Sequence, residues 1–272
     1  MNFPGKKRLR HWWWIVAFKY PRFRSLLTRL LIPARQIDIR LFGARLRIDT
    51  REEIGLWRAA RMADNNIIFR DEVASLLNLA LLLRPGDTFV DVGANVGLYS
   101  SVLSRLRNLS PDTSYVAIEP NPKTAERLRR SLGEAVQVLN IALSDRAGEL
   151  GFTSGVTSGV FRVSPNQFAE IKVRCERLEA LLRSQTNLVM KIDVEGHELP
   201  VLRGAAALFN EQRIKVIYID GYSDEMIPDF LRERGFALYH GRALTPCGAE
   251  APRDSLLAIH RSRLQMRAAP NQ

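Results

Sequence analysis

Two carboxylates and a histidine fall within five residues in Asp193-Val194-Glu195-Gly196-His197, directly after the apolar run that ends at Ile192. Residues 187–193 read as a strand, so the cluster lies at a strand's carboxyl end, where open α/β sheets place their sites. An imidazole with an ordinary pKa of about 6.5 suits general-base work at neutral pH. His197 is therefore the first candidate for removing a proton. Asp193 is the second, and it serves equally to orient His197 or to bind an ammonium group. Glu195 joins them as a catalytic candidate, although negative charge is also favourable at a helix N-terminus. That plain structural role accounts well for Glu198 and poorly for His197.

A second constellation precedes this one. Asp91-Val92-Gly93-Ala94-Asn95-Val96-Gly97 stands between a predicted strand and a predicted helix. Glycines there let the backbone turn sharply and approach a ligand with no Cβ in the way. The spacing differs from the G-x-G-x-x-G turn that brings a pyrophosphate onto a helix N-terminus. Here a carboxylate comes first, which suits a cationic ligand without phosphate, and S-adenosylmethionine offers a sulfonium and an ammonium. Glu119 ends the next strand, 28 residues after Asp91, where an acidic side chain accepts hydrogen bonds from two ribose hydroxyls. Ser144 and Asp145 follow the third strand and are placed to contact adenine, although both are ordinary turn residues. The cofactor-binding set is thus Asp91, Gly93, Ala94, Asn95, Gly97, Glu119, Ser144 and Asp145, with Asp193 at its edge.

The elements that must hold these residues follow a regular pattern. Candidate strands are 88–93, 114–119, 136–140, 187–193, 214–220, 235–239 and 255–260, and helices are expected at 71–83, 96–107, 122–132, 176–183, 198–210 and 224–234. Short apolar strands alternating with amphipathic helices imply a mostly parallel sheet covered on both faces. The last two strands lack a helix between them, which predicts an antiparallel edge strand. Residues 148–174, rich in Gly, Ser and Thr, read as an insertion that walls the substrate. Residues 37–48 alternate around Phe42-Gly43-Ala44 as a hairpin. The expected organisation is a basic, aromatic N-terminal extension over 1–50, a catalytic domain over 51–263 and a tail over 264–272.

Charge divides the chain the same way. Its net charge is +11, yet residues 1–50 hold twelve Lys or Arg against Asp38 and Asp49, leaving the other 222 residues at +1. A nucleic-acid enzyme usually carries a basic face on the catalytic domain itself, so nucleic acid is disfavoured as a partner. The basic segment 1–32, with Trp12 to Trp14 and a Leu stripe, suits either a packed helix or peripheral contact with an anionic membrane. The run Trp12 to Phe18 is too short to span a bilayer. Two cysteines, Cys175 and Cys247, form no disulfide framework, which fits a cytoplasmic protein.

The runs DTFVDVGANVGLYS, IEPNP, NIALSDRAGE and KIDVEGHELPVLRGA, in this order over residues 70–260, resemble the FkbM family of methyltransferases. The resemblance implies a seven-stranded Rossmann-like fold, S-adenosylmethionine as cofactor, and O-methylation of a sugar, glycan or polyketide-type acceptor. It also implies that Asp193, Glu195 and His197 face the transferred methyl. One departure is Asp220, at the end of the fifth strand, where the family would have a glutamate. Asp193 and Asp220 close neighbouring strands and are the one candidate pair for a divalent metal, but two carboxylates are a thin ligand set, and a metal is not favoured. The rival readings are a nucleic-acid methyltransferase, a cofactor-binding module without catalysis, and a nicotinamide oxidoreductase, which the glycine spacing disfavours.

Overall fold

The structure, a computed structural model, describes residues 33–60, 67–106, 110–154, 161–164 and 168–265. The basic segment 1–32, with the membrane contact expected of it, lies outside the described residues, as does most of the 264–272 tail. The chain opens with a hairpin, β1 (Gln36–Leu41) and β2 (Ala44–Asp49), followed by α1 (Ile54–Ala59) and α2 (Ile67–Leu82). Then come β3 (Thr88–Val92), α3 (Leu98–Arg105), β4 (Ser114–Ile118), α4 (Pro122–Leu132) and β5 (Gln137–Leu139). A small sheet is built from β6 (Ala142–Leu143), β7 (Gly148–Ser154), β8 (Phe161–Val163) and β9 (Ile171–Glu176), in the order β6-β9-β7-β8. The rest comprises α5 (Leu178–Leu181), β10 (Leu188–Ile192), α6 (Glu198–Arg203), α7 (Ala206–Asn210), β11 (Ile214–Ile219), α8 (Ile227–Glu233), β12 (Phe236–His240), β13 (Leu256–His260) and α9 (Arg261–Gln265).

The central sheet has seven strands in the order β12-β13-β11-β10-β3-β4-β5. Strands β11, β10, β3, β4 and β5 are parallel to their neighbours in that order. Side chains alternate across it. Phe89 and Val189 join a buried cluster with Leu46 and Ile48 of the hairpin, Leu79 of α2 and Leu128 of α4. Val90 and Met190 face the opposite cluster, with Leu202, Leu208, Ile227 and Leu231. Burial on both faces explains why the strands read as unbroken apolar runs.

Four details differ from the sequence reading. The antiparallel strand β13 is not at the edge: it lies between β11 and β12 and is antiparallel to both. The helix expected over 198–210 is broken into α6 and α7 at Gly204 and Ala205, and Gly204 packs under Ser144, where a Cβ would stand 2.1 Å from the Ser144 carbonyl oxygen. The helix expected over 176–183 shrinks to a single turn, since β9 runs to Glu176. The Gly- and Ser-rich stretch, read as an insertion without assigned strands, supplies β7, β8 and most of β9 of the small sheet.

Candidate active site

The turn after β3 is shaped from beneath by residues that do not face the cavity. Asp91 is buried, and its Oδ2 accepts from the Ser100 amide at 3.1 Å and the Ser100 hydroxyl at 2.7 Å. Burial raises its pKa, against the opposing pull of Lys191 and Ser100. The amides of Gly93 and Ala94 both donate to the Ile118 carbonyl at 3.0 Å, tying the turn to β4. At Gly97 (φ +84°) an added Cβ would stand 2.4 Å from Leu128 Cδ1, so this glycine lets α3 pack on α4. Gly93 (φ +73°) is tighter still: its Cβ would lie 1.9 Å from the Asp193 carbonyl oxygen. Two neighbouring strand ends thereby meet backbone to backbone.

Gly93 and Asn95 line a cavity with Glu119, Asp193, Glu195 and His197. Glu119 is held by the backbone, Oε2 accepting from the Asn95 amide at 2.9 Å and Oε1 from the Asn121 amide at 2.8 Å. Burial nevertheless pushes its carboxyl up to about 7. Each oxygen retains acceptor capacity for one hydroxyl of a vicinal diol. Ile118, Ile141 and Leu143 make an apolar slot beside it. The small sheet completes the wall with Phe152 and Phe161, whose rings stack with centroids 4.4 Å apart.

At the other end Asp193 Oδ2 accepts from Lys191 Nζ at 3.0 Å, and the same ammonium lies 3.5 Å from the Gly93 carbonyl oxygen and 3.9 Å from Asp91 Oδ1. Burial works against a charged Lys191, but Asp193, Asp91, Asp220 and Glu72 outweigh it and raise its pKa. Lys191 stands in the KIDVEGHE run with no role assigned from sequence, and the structure makes it the tie between the two strand ends. Asp220, at the end of β11, accepts from the Tyr218 hydroxyl at 3.3 Å and lies 3.8 Å from an Arg242 guanidinium nitrogen. Among the described residues no group of three or more His, Cys, Asp or Glu is arranged to hold a metal ion. Lys191 supplies the cation between Asp91 and Asp193.

His197 stands elsewhere in the site. Its Nε2 is 3.0 Å from the Ser144 hydroxyl, and burial lowers its pKa while nearby Asp145 opposes that shift. Ser144 also donates to Asp145 at 3.2 Å. Glu195 (φ +49°) is paired with Arg162 of β8 at 2.8 Å, joining the small sheet to the loop after β10. Glu198 accepts from the Gly196 amide at 2.8 Å and closes the start of α6.

The donor set fits S-adenosylmethionine. A diol-accepting carboxylate, an apolar slot and a carboxylate beyond a Cβ-free turn match a ribose, an adenine and a cationic amino-acid end in turn. Fold and site define a Rossmann-like methyltransferase that uses this cofactor. Residues 91–238 match the model of the methyltransferase FkbM domain. The chain is 30% identical over 204 residues to the hexuronic acid methyltransferase AglP of Haloferax volcanii, covering 72% of this chain and 74% of AglP. It is 30% identical over 172 residues to the 2-O-methyltransferase NoeI of Sinorhizobium fredii, covering 54% of this chain and 68% of NoeI. A TehB-like S-adenosylmethionine-dependent methyltransferase from Corynebacterium glutamicum overlays with a TM-score of 0.42 at 15% identity, over 76% of this chain and 94% of that one. The chain belongs to the FkbM methyltransferase family.

Proposed function

We propose that this enzyme transfers a methyl group to a hydroxyl oxygen of a sugar-type acceptor. The observation that carries the reading is the placement of Asp193, half-exposed, lining the cofactor cavity and held by Lys191 through one oxygen only. When bound, S-adenosylmethionine supplies an electrophilic methyl on a sulfonium. Glu119 would hold its ribose, Asp193 its cationic end, and the Ile118, Ile141 and Leu143 slot its adenine. The chain's own task is alignment, which alone lowers a barrier by roughly 7–11 kcal/mol, together with removal of the hydroxyl proton. We assign that proton to Asp193 Oδ1, the oxygen Lys191 leaves open. His197, the first choice from sequence, touches Ser144 and so belongs with Ser144 and Asp145 at the adenine end. A hexuronic acid methyltransferase as relative supports a sugar-type acceptor, and a 2-O-methyltransferase supports oxygen as the atom methylated. The test is methyl transfer from labelled S-adenosylmethionine to a panel of hexuronate, neutral hexose and polyketide acceptors. Transfer to polyketides alone would overturn the sugar reading.

A further inference from the structure

The outward face of the hairpin carries arginines on both strands. Arg40 of β1 and Arg45 of β2 stand directly opposite each other in register, and both are exposed. Like charges so placed destabilise a strand pair, and no acidic residue pairs with Arg40 among the described residues. Arg45 and Arg47 share one carboxylate, that of Asp38, and Arg47 Nε is buried with no acceptor. These side chains form one wall of a groove of about 480 Å³. The other wall is Arg105 at the end of α3, with Arg130 and Ser131 at the end of α4. Arg130 pairs with Glu126 at 3.0 Å, whereas Arg105 has no ion pair among the described residues. A cation in the last turn of a helix is favourable in its own right, which accounts for Arg105 and Arg130. It does not account for Arg40, Arg45 and Arg47, which come from strands. Helices α3 and α4 begin just after the cavity-lining residues Asn95 and Glu119, so their last turns lie at the opposite edge of the sheet from the cofactor cavity.

We propose that this groove docks the enzyme on an anionic membrane by binding the phosphate of a lipid headgroup. Every cation that lines it is an arginine, and guanidinium forks pair with phosphate oxygens bidentately, which lysine cannot do. Two observations favour a lipid surface over a soluble phosphate ester. The arginines are spread along an exposed strand face and two helix ends, not gathered in a closed pocket. The sequence leading into β1 also carries Trp12 to Trp14 among most of the other Lys and Arg of residues 1–50, residue types that suit a membrane interface. Docking at this edge leaves the cofactor cavity clear of the lipid, and it is independent of which hydroxyl is methylated.

Co-sedimentation of the full chain with vesicles tests it, using phosphatidylcholine alone and phosphatidylcholine mixed with phosphatidylglycerol. Wild type should bind the mixed vesicles, less so as salt is raised, and should leave the neutral ones. Arg40→Gln and Arg105→Gln, which break no ion pair, should each weaken binding about fivefold, the worth of one cation near an anionic surface. Arg203→Gln makes the same charge change at the end of α6, a helix packed on the other face of the sheet. It should weaken binding less than about twofold, since screening limits distant charges. Calorimetric affinity for S-adenosylhomocysteine should be unchanged in all three variants. Equal weakening in all three would reduce the effect to net charge, and unchanged vesicle binding in Arg40→Gln and Arg105→Gln would place the contact elsewhere in the chain. Either result overturns the groove, as does wild type that binds no vesicles. Pyrophosphate binding by calorimetry, lost in both groove variants and unaccompanied by vesicle binding, would assign the groove to a soluble ester and overturn the membrane. The same pattern with duplex RNA would assign it to nucleic acid. Loss of S-adenosylhomocysteine binding in both groove variants would make these arginines part of the fold and would also overturn the proposal.

Discussion

The Ser144 hydroxyl and His197 Nε2 lie 3.0 Å apart, which ties His197, at one end of the cavity wall, to a residue outside the lining. If that end receives adenine, His197 acts on cofactor affinity and not on proton removal. His197→Ala should weaken S-adenosylhomocysteine binding about tenfold, the worth of one hydrogen bond to a polar group, with turnover at saturating cofactor changed less than about threefold. A fall in turnover of 10² or more with unchanged cofactor affinity, the usual range for general-base loss, would return the base to His197.

Gly93 offers the sharpest steric test. Its positive φ disfavours any side chain, and a Cβ would strike the Asp193 carbonyl oxygen at 1.9 Å. Gly93→Ala should cost about 1–3 kcal/mol from backbone strain alone, seen as a lower urea midpoint, and should abolish calorimetric binding of S-adenosylhomocysteine. Retained tight binding would mean that the strand ends do not set the cofactor cradle.

Glu119 should make cofactor binding depend on pH. Its carboxyl is raised to about 7 by burial, and the ionised form accepts hydroxyl donors better than the protonated one. Affinity for S-adenosylhomocysteine should therefore be highest above that value and fall as pH drops from 8 to 6. Glu119→Gln should bind more weakly at pH 8 and show a flatter profile. A wild-type affinity that rises on acidification would contradict the assignment.

The hairpin is secured by a buried ion pair. Arg127 of α4 reaches Glu53 at 2.7 Å and Glu52 at 2.6 Å, and both Arg127 and Glu53 are buried. Arg127→Met leaves Glu53 without its cation and should cost about 3–5 kcal/mol in denaturant unfolding. Adding Glu53→Gln, which keeps an acceptor for the Asp49 amide, should recover at least half of that loss. No recovery would show that Arg127 acts through packing alone.

The sheet and the turns that line its cavity were legible because period and spacing are local properties. All seven candidate strands of the sequence reading have counterparts in the central sheet, and Glu119 reaches the cavity as its spacing from Asp91 implies. Lys191 was not legible as a site residue, since its meaning depends on strand pairing: it registers against Asp91 on one side and Tyr218 on the other. A lone lysine within the buried strand Leu188–Ile192 was the available signal, because lysine is rarely buried without a partner. The inward position of β13 leaves a faint local trace, since Leu256 to Ile259 are buried as an unbroken run whereas the edge strand β12 alternates.

That inward position has a consequence for biosynthesis. On a growing chain β11 and β12 are complete by residue 240, yet they have no direct pairing with each other and must wait for residues 256–260. Until those emerge, β11 presents an unpaired apolar edge, the kind of surface that recruits strands from other chains. Arg263 of α9 then pairs with Asp87 just before β3, nearly 180 residues earlier, and ties the helix after the last-made strand to the start of the first strand of the central sheet. A ribosome stalled anywhere before this point would release an aggregation-prone chain in place of a partly active enzyme.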